Sequence, residues 1–188
     1  TTNDFARAVH IPRDIHAALD IIIKGDTIPV DVGLMNGERY FINIAGGGRL
    51  TELTYEVPSK MKTVLGQLAY YLKGIEMIPS IKAAHMRLEL DEEVFEDEFM
   101  MFLCALTNSV GGFEKLAPDA SINDGKFTVL ALRKCSLPEF ASVIMAAAKG
   151  EHLNSPSVIY RKVEKVVMMS NDVVHINLDG EYGGDAPA

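Results

Sequence analysis

Residues 30–45, VDVGLMNGERYFINIA, contain the pattern that decides the fold class. Asn36-Gly37 is the pair that two-residue hairpin turns prefer, because both turn positions need a left-handed backbone. On its N-terminal side every second residue is apolar, which is the period of a half-buried strand: Val30, Val32 and Leu34. The sequence therefore predicts a strand, a tight turn and a return strand over residues 40–45, ended by the glycines at 46–48.

Further strand patterns follow along the chain. Residues 85–90 alternate between polar and apolar, as a half-buried strand does. An acidic connection over residues 91–98 leads to the apolar run 99–106, which predicts a strand buried on both faces. Other strands are predicted in β-branched segments at 126–133, 158–169 and 173–178.

Helices are predicted where capping residues adjoin an apolar stripe with helical spacing. Four segments qualify: a short helix capped by Thr2 or Asn3, one from near Pro12 to Gly25, a long one from Ser59 to Pro79, and one from Ser136 to Gly150. The predicted fold class is α+β and strand-rich. We expect a two-layer antiparallel β-sandwich with flanking helices and an N-terminal helical stub.

Composition excludes several classes of function. The 188 residues include 18 Lys+Arg and 26 Asp+Glu, and the net charge of −8 disfavours nucleic acid as a partner. Cys104 and Cys135 show no disulfide or metal spacing, which indicates a reducing cytosol. No apolar run approaches the ~20 residues of a membrane span, so we expect a soluble, cytoplasmic protein. The first residues lack an initiator Met and a signal-peptide pattern, which suggests part of a longer protein.

The common catalytic motifs are absent from the sequence. It contains no G-x-S-x-G, H-E-x-x-H, G-x-x-x-x-G-K-[ST] or G-x-G-x-x-G, and its five histidines show no metal-ligand spacing. Hydrolase and dehydrogenase functions lose their usual support. Three polar clusters remain as candidate sites.

The first cluster is TTNDFAR at residues 1–7. Its hydroxyls, amide and carboxylate fit a phosphate with magnesium at a helix start, or a plain capping turn. The second cluster, PDASINDGKF at residues 118–127, lacks the glycine and glutamate positions of an EF-hand. It fits either a small oxygen cage around Asp124 or a β-turn.

The third cluster is NLDGEYGGD at residues 177–185, where a strand runs out into a glycine-rich segment. Asp179 and Glu181 would share one side if the strand continued, and a neighbouring carboxylate would raise a pKa and favour a general base. A solvated acidic turn is the alternative. On the predicted long helix, Lys62 and Lys73 flank the apolar stripe and could contact anionic lipid headgroups.

In this order, the clusters resemble motifs of the soluble bacterial diacylglycerol kinases, a lipid kinase family related to sphingosine and ceramide kinases and, in fold, to NAD kinases. The resemblance covers the whole chain. The matching segments are TTNDFAR at 1–7, DVG at 31–33 with NGERYFIN at 36–43, GG at 111–112, PDA at 118–120, DG at 124–125 and DGE at 179–181.

The resemblance implies a role for each matching residue. Thr1 and Asn3 would lie at the nucleotide, and Asp4 would join an aspartate–water–magnesium network. Glu181 would accept a proton from the lipid hydroxyl, with Asp179 beside it. ATP would be the co-substrate, and diacylglycerol would become phosphatidic acid.

The resemblance also implies a structural Mg²⁺ site. Asp124 would bind the ion by its side chain, and Ser121 and Lys126 would bind it through backbone carbonyls. Acyl chains would occupy the apolar interior of the sandwich, which we expect to open near Glu181.

Two domains are implied. Residues 1–25 would be a helical remnant of the nucleotide-binding domain, and residues 26–188 a β-sandwich that carries the lipid substrate and the catalytic base. The family's G-G-D-G-T phosphate loop does not occur in the chain, so we expect little or no ATP affinity from it alone. The partners implied are diacylglycerol or a related lipid and the anionic inner face of the membrane; a homodimer stays open. A kinase of a sphingoid lipid or NAD, or a non-enzymatic metal-stabilised lipid-binding module, remains an alternative.

Overall fold

The residues that the structure describes form ten strands in two sheets, and every pairing between these strands is antiparallel. The computed structural model describes residues 3–48, 83–110, 113 and 115–188. The first two strands, β1 (Gly33–Met35) and β2 (Arg39–Phe41), form a small hairpin sheet. The other eight belong to one large sheet: β3 (Ile44–Gly47), β4 (Ala84–Leu90), β5 (Glu93–Ala105), β6 (Phe127–Arg133), β7 (Val158–Val163), β8 (Val166–Ser170), β9 (His175–Leu178) and β10 (Glu181–Asp185).

The thirteen-residue strand β5 is shared between two groups of strands. Its first half pairs with β4, which pairs with β8 on its other side. Its second half pairs with β3 and β6, which continue to β9 and β10 and to β7. Side chains from both groups meet in one buried cluster that includes Met86, Leu88, Met168, Phe102, Val129 and Ile176. This arrangement confirms the predicted antiparallel sandwich.

The helices flank the strands. Helix α3 (Leu137–Lys149) begins after Ser136, whose hydroxyl accepts the Glu139 N–H at 3.4 Å, and ends at Gly150 with φ 80°, as the sequence predicts. Its Phe140 and Val143 pack on β5 and β6 in a second buried cluster. A 3₁₀ turn, His152–Asn154, follows. None of the described helices is long and apolar enough to cross a bilayer.

The N-terminal stub contains α1 (Asp4–Ala8) and α2 (Ile15–Lys24). Asn3 precedes α1 but has a left-handed φ of 53° and no side-chain cap. Helix α2 is capped by Asp14 rather than starting near Pro12, and its apolar stripe is exposed in the described part of the chain. The long helix predicted between Ser59 and Pro79 lies outside the described residues.

Two predicted strands were wrong in their extent. The return strand over 40–45 breaks at Ile42-Asn43, which separates β2 from β3. Gly46 and Gly47 do not end it, because they lie inside β3 between β5 and β9. The predicted strand 158–169 divides into β7 and β8 at Glu164-Lys165, where the Asp91 carboxylate accepts both backbone N–H groups.

The acidic connection was also misplaced. Only Asp91 and Glu92 connect β4 to β5, because Leu90 already pairs with Glu93. The acidic residues that follow belong to β5, and their carboxylates form ion pairs with cations on β4, on or directly after β6, and on β7. The ion pairs are Glu93–Arg161, Glu96–Arg87, Asp97–Arg133 and Glu98–Lys134.

Candidate active site

Glu181 is the first residue of β10, directly after a tight turn. Asp179 and Gly180 form this turn with φ values of 51° and 102°, and Leu178 pairs with Glu181 across it. The sequence interpretation of a strand running out into glycines was therefore wrong, because the chain returns as β10 with a bulge between Tyr182 and Gly184. Asp179 and Glu181 do not alternate along one continuous strand.

The Asp179 carboxylate accepts hydrogen bonds from backbone N–H groups of the chain between β2 and the start of β3. It accepts hydrogen bonds from the N–H groups of Ile42 at 2.7 Å, Asn43 at 2.9 Å and Ile44 at 2.8 Å. The Asp179 N–H donates to the Ile44 carbonyl at 2.9 Å. These contacts attach the turn before Glu181 to the break between β2 and β3.

Glu181 projects from the same face of the sheet as a row of apolar side chains. Directly opposed residues on paired strands share a face, with Cβ atoms ~5 Å apart. Glu181 opposes Leu178, Leu178 opposes Ala45, and Ala45 opposes Cys104. The carboxylate is exposed at the edge strand, whereas the other three residues are buried.

A cavity of about 590 Å³ lies on this face, between the two layers. Phe41 and Phe127 line it and stack with ring centroids 5.8 Å apart, so that the hairpin β1–β2 packs over it. Its other walls come from both layers and include Ala45, Phe102, Cys104, Ile176 and Met168. Glu181 is not part of the lining but lies two strands from Ala45 in the same row. The structure thus places the predicted base on the same sheet face as the apolar hollow, two strands from Ala45 in its lining.

Asp4 is buried at 8% exposure and connects to this region by polar contacts. The Ser109 hydroxyl donates to Asp4 Oδ1 at 2.6 Å and accepts from the Arg7 guanidinium at 3.3 Å. Thr107 lies within hydrogen-bonding distance of the Asn43 side chain, and the Asn43 N–H is one of the donors to Asp179. A chain of hydrogen bonds therefore runs from the N-terminal stub toward the β9–β10 turn.

Thr107 and Ser109 were missed in the sequence interpretation. Both are almost completely buried, at 0% and 1% exposure. The available signal was the abrupt change from the apolar run of β5 to Thr107-Asn108-Ser109. Buried polar side chains need hydrogen-bond partners, and Thr107 and Ser109 find theirs in Asn43 and Asp4.

The predicted metal residues lie in the loop before β6. Asp124 forms an ion pair with Lys162 and accepts the Lys126 N–H at 3.2 Å. Desolvation raises the pKa of Asp124, but the Lys162 and backbone hydrogen bonds outweigh it and the net pKa is lowered. The Ser121 hydroxyl contacts the Asn123 side chain at 3.2 Å.

Asp31 also reaches this loop, which the sequence interpretation did not foresee. Its carboxylate accepts the Gly125 N–H at 2.7 Å, and its own N–H donates to the Ile122 carbonyl at 2.6 Å. The two residues are 94 positions apart in sequence, so local pattern offers no signal for the contact.

The loop has the chemistry that a hard cation prefers. The Lys162 ammonium contacts both the Asp124 carboxylate and, at 2.8 Å, the Asp119 carbonyl, so two oxygens already converge on a positive charge. No group of three His, Cys, Asp or Glu side chains forms a metal cluster within the described part of the chain. A site here would therefore depend on carbonyl ligands. Thr1, Lys62 and Lys73 lie outside the described residues.

Comparison with known proteins identifies two family models along the chain. Residues 1–35 match the diacylglycerol kinase catalytic domain, and residues 52–188 match the YegS C-terminal NAD kinase beta sandwich-like domain. The predicted boundary between residues 25 and 26 stays a prediction.

The relatives are bacterial. The chain is 57% identical over 188 residues to the diacylglycerol kinase of Bacillus subtilis (strain 168), covering 100% of this chain and 62% of that protein. It is 50% identical to the diacylglycerol kinase of Staphylococcus aureus (strain Newman), covering 100% of this chain and 59% of that protein. The chain thus spans about six tenths of the length of these curated relatives.

A solved structure shares the fold. The crystal structure of a diacylglycerol kinase from Bacillus anthracis str. Sterne matches with a TM-score of 0.74 at 24% identity, over 100% of this chain and 61% of that chain. Because the β-sandwich model covers most of the chain, the chain belongs to the family of YegS C-terminal NAD kinase β-sandwich-like domains.

Proposed function

We propose that this chain carries the lipid site and the catalytic base of an ATP-dependent kinase that converts diacylglycerol to phosphatidic acid. The supporting observation is the row that joins Glu181 to Ala45 and the apolar cavity. The names of the relatives support the choice of lipid. The composition agrees, since the chain has no Trp and only 7% aromatic residues for stacking on a dinucleotide acceptor.

In this mechanism Glu181 accepts the proton of the lipid's primary hydroxyl. The hydroxyl oxygen then bonds to the γ-phosphorus of ATP, the bond to the β–γ bridging oxygen breaks, and ADP leaves. The Asp179 contacts hold the turn that positions Glu181, and the apolar cavity orients the lipid by its tail. Positioning supplies most of the acceleration in such transfers.

The N-terminal residues would face the nucleotide. In this proposal Thr1 and Asn3 contact ATP, and Asp4, held by Ser109, belongs to the magnesium network. Magnesium supplies charge neutralisation on phosphate oxygens when it is bound. A structural Mg²⁺ would be held by the Asp124 carboxylate and by the backbone carbonyls of Ser121 and Lys126. We also propose a cytoplasmic location with peripheral contact to the anionic inner face of the membrane through Lys62 and Lys73.

The test is Glu181→Gln in the full-length parent. We expect kcat for diacylglycerol phosphorylation to fall by ~10²–10⁴-fold, because Gln cannot accept the hydroxyl proton. Glu92→Gln, at the exposed β4–β5 turn, is the matched control and should retain activity. Activity of Glu181→Gln within a few-fold of the unaltered enzyme would reject the assignment. Lipid binding without phosphorylation by the unaltered parent would favour a binding module.

A further inference from the structure

The chain between β2 and β3 makes polar contacts in three directions through one residue. The Asn43 N–H donates to the Asp179 carboxylate at 2.9 Å, and the Asn43 carbonyl accepts the Leu106 N–H at 2.9 Å. Its side-chain oxygen lies within hydrogen-bonding distance of the Thr107 hydroxyl. Asn43 therefore contacts both the turn before Glu181 and the segment that follows β5.

The segment after β5 continues these contacts to the N-terminal stub. The Thr107 hydroxyl is also 3.0 Å from the Ser109 carbonyl, and the Ser109 hydroxyl donates to Asp4 Oδ1 at 2.6 Å. All three side chains are buried. Hydrogen bonds in such surroundings are strengthened by the low local dielectric, and removing one partner leaves the other polar group unsatisfied. The segment thus has a defined position relative to Asp4.

Residues 42–43 lie between β2 and β3 and belong to neither strand. Because strand pairing does not fix their backbone, the contact of Asn43 with Thr107 contributes to its position. Asp179 accepts the N–H groups of both residues, so a shift of this segment is passed to the turn that leads into Glu181. A displacement of about 1 Å at a reacting group can cost about 10²-fold in rate.

We propose that Asn43 is a positioning residue, and that its hydrogen bond with Thr107 sets the position of Glu181 relative to Asp4. The inference rests on the proposed function, in which Glu181 accepts the lipid proton and Asp4 belongs to the magnesium network. It deepens that function by naming the contact that aligns the two sides of the site. Asn43 touches no substrate and acts through Asp179. Losing its contact with Thr107 should therefore lower kcat and leave the binding of both substrates unchanged.

The first experiment removes the contact from either side in the full-length parent. Asn43→Ala deletes the acceptor but keeps the backbone hydrogen bonds of residue 43, and Thr107→Val deletes the donor but keeps the branched shape. We expect each change to lower kcat by about tenfold, with KM for ATP and for diacylglycerol within about twofold of the unaltered values. Thr107→Ser keeps a hydroxyl and should retain kcat within about threefold. Unchanged kcat in both Asn43→Ala and Thr107→Val would reject the inference.

Thr128→Val is the matched control. Thr128 is also a buried threonine, at 1% exposure, and its hydroxyl has no hydrogen-bond partner among the described residues. It lies on β6 directly opposite Ala105, which is close in sequence to Thr107. Thr128→Val should leave kcat unchanged. A loss of about tenfold here as well would show that kcat responds to any lost hydroxyl in this region, and it would overturn the inference.

Double variants test whether the loss arises through Glu181. Asn43→Ala together with Thr107→Val should be no slower than the slower single variant, because both remove the same hydrogen bond. Added to Glu181→Gln, Asn43→Ala should lower kcat by less than about twofold, since no base remains to be positioned. A further loss of about tenfold in that background would mean that Asn43 acts without Glu181, which contradicts the positioning role.

The outcomes separate this inference from the function beneath it. If Glu181→Gln lowers kcat as expected but Asn43→Ala and Thr107→Val do not, the kinase function stands and the positioning role is rejected. If Glu181→Gln keeps its activity, the catalytic base is rejected and the positioning role with it. Where Asn43→Ala fails to fold, as circular dichroism would show, the comparison of Thr107→Val with Thr107→Ser gives the same decision.

Discussion

Asp179 has a structural role in the candidate site in addition to placing a negative charge near Glu181. Its carboxylate accepts three backbone hydrogen bonds from residues 42–44, and its own backbone is in the left-handed region with φ 51°. Asn tolerates that backbone almost as well as Asp, whereas Ala does not. The residue therefore combines a turn preference with an anchor for the β2–β3 break.

Replacing Asp179 should separate these two contributions. Asp179→Asn keeps the turn preference and one acceptor oxygen but replaces the other with an NH₂ group that only donates, and we expect about 1 kcal/mol less stability. Asp179→Ala loses every side-chain hydrogen bond and strains the turn, so about 2–4 kcal/mol should be lost. Urea unfolding of the full-length parent measures both values. An Ala variant as stable as the unaltered protein would show that the anchor is unimportant.

In the proposed structural Mg²⁺ site, Lys162 would compete with the ion for the Asp124 carboxylate. Its ammonium contacts the Asp124 carboxylate and the Asp119 carbonyl. We expect Lys162→Met to bind Mg²⁺ more tightly and Asp124→Asn to lose the response. At a Mg²⁺ concentration ten times the Kd of the protein being measured, binding should stabilise the folded state by about 1.4 kcal/mol. The stabilisation is measured as a higher Tm. Lys149→Met, at the end of α3, is the control. Equal Mg²⁺ responses of the Lys162 and Lys149 variants would contradict the prediction.

Strand β3 shows how the glycines act at the scale of an element. Gly46 has no room for a side chain, because a Cβ would lie 2.7 Å from Leu103 Cδ2 and 2.9 Å from the Phe102 carbonyl. Gly47 is similarly enclosed by Phe102, Ile176 and Val174. The glycines therefore allow β3 to lie between two strands that carry large residues.

Gly46→Ala should destabilise the parent by about 1–3 kcal/mol through overpacking. Gly25→Ala, at the end of α2, offers a matched comparison, because nothing lies within 4 Å of the added Cβ and only the φ of 72° is unfavourable. We expect about 1–2 kcal/mol for that change. Thermal unfolding measures both. A Gly46 variant with unchanged Tm would show that β5 yields to the added methyl group.

The same elements show what sequence could and could not predict. The Asn36-Gly37 turn, the alternation of residues 85–90 and the Ser136 cap are local signals, and each predicted the right element. The hairpin connection has three residues instead of the two predicted, because Met35 pairs with Arg39. The break at Ile42-Asn43 depends on a carboxylate 136 residues away from Asn43, which no local pattern contains. The residues of the candidate site show the same division. Glu181 came from its motif, whereas Asp31, Thr107 and Ser109 acquire their contacts only through the fold.

At the scale of the whole molecule, one buried histidine links stability to pH. His152 is 1% exposed, and its Nε2 lies 2.9 Å from the Leu116 carbonyl. Its Nδ1 has no hydrogen-bond partner among the described residues. Burial lowers the pKa of His152, and the Leu116 hydrogen bond offsets this only in part.

Because the folded pKa is depressed, the unfolded chain binds the proton more readily. The stability contributed by neutral His152 should be present above the unfolded pKa of 6.5 and decrease as pH falls through the folded value. His152→Gln should flatten this part of the pH profile in urea unfolding of the parent. His16→Gln, on the exposed surface of α2, should not. An unchanged profile for the His152 variant would assign the pH dependence to other groups.

The shared strand β5 has a consequence for how this molecule comes apart. Residues 93–99 hydrogen-bond to β4 and residues 99–105 to β3 and β6, so either layer loses a border when β5 detaches. Among the described strands, β5 thus provides the backbone pairing between the two groups. Melting should therefore be all-or-none across both layers, and the hollow between them should vanish together with its walls rather than collapse first.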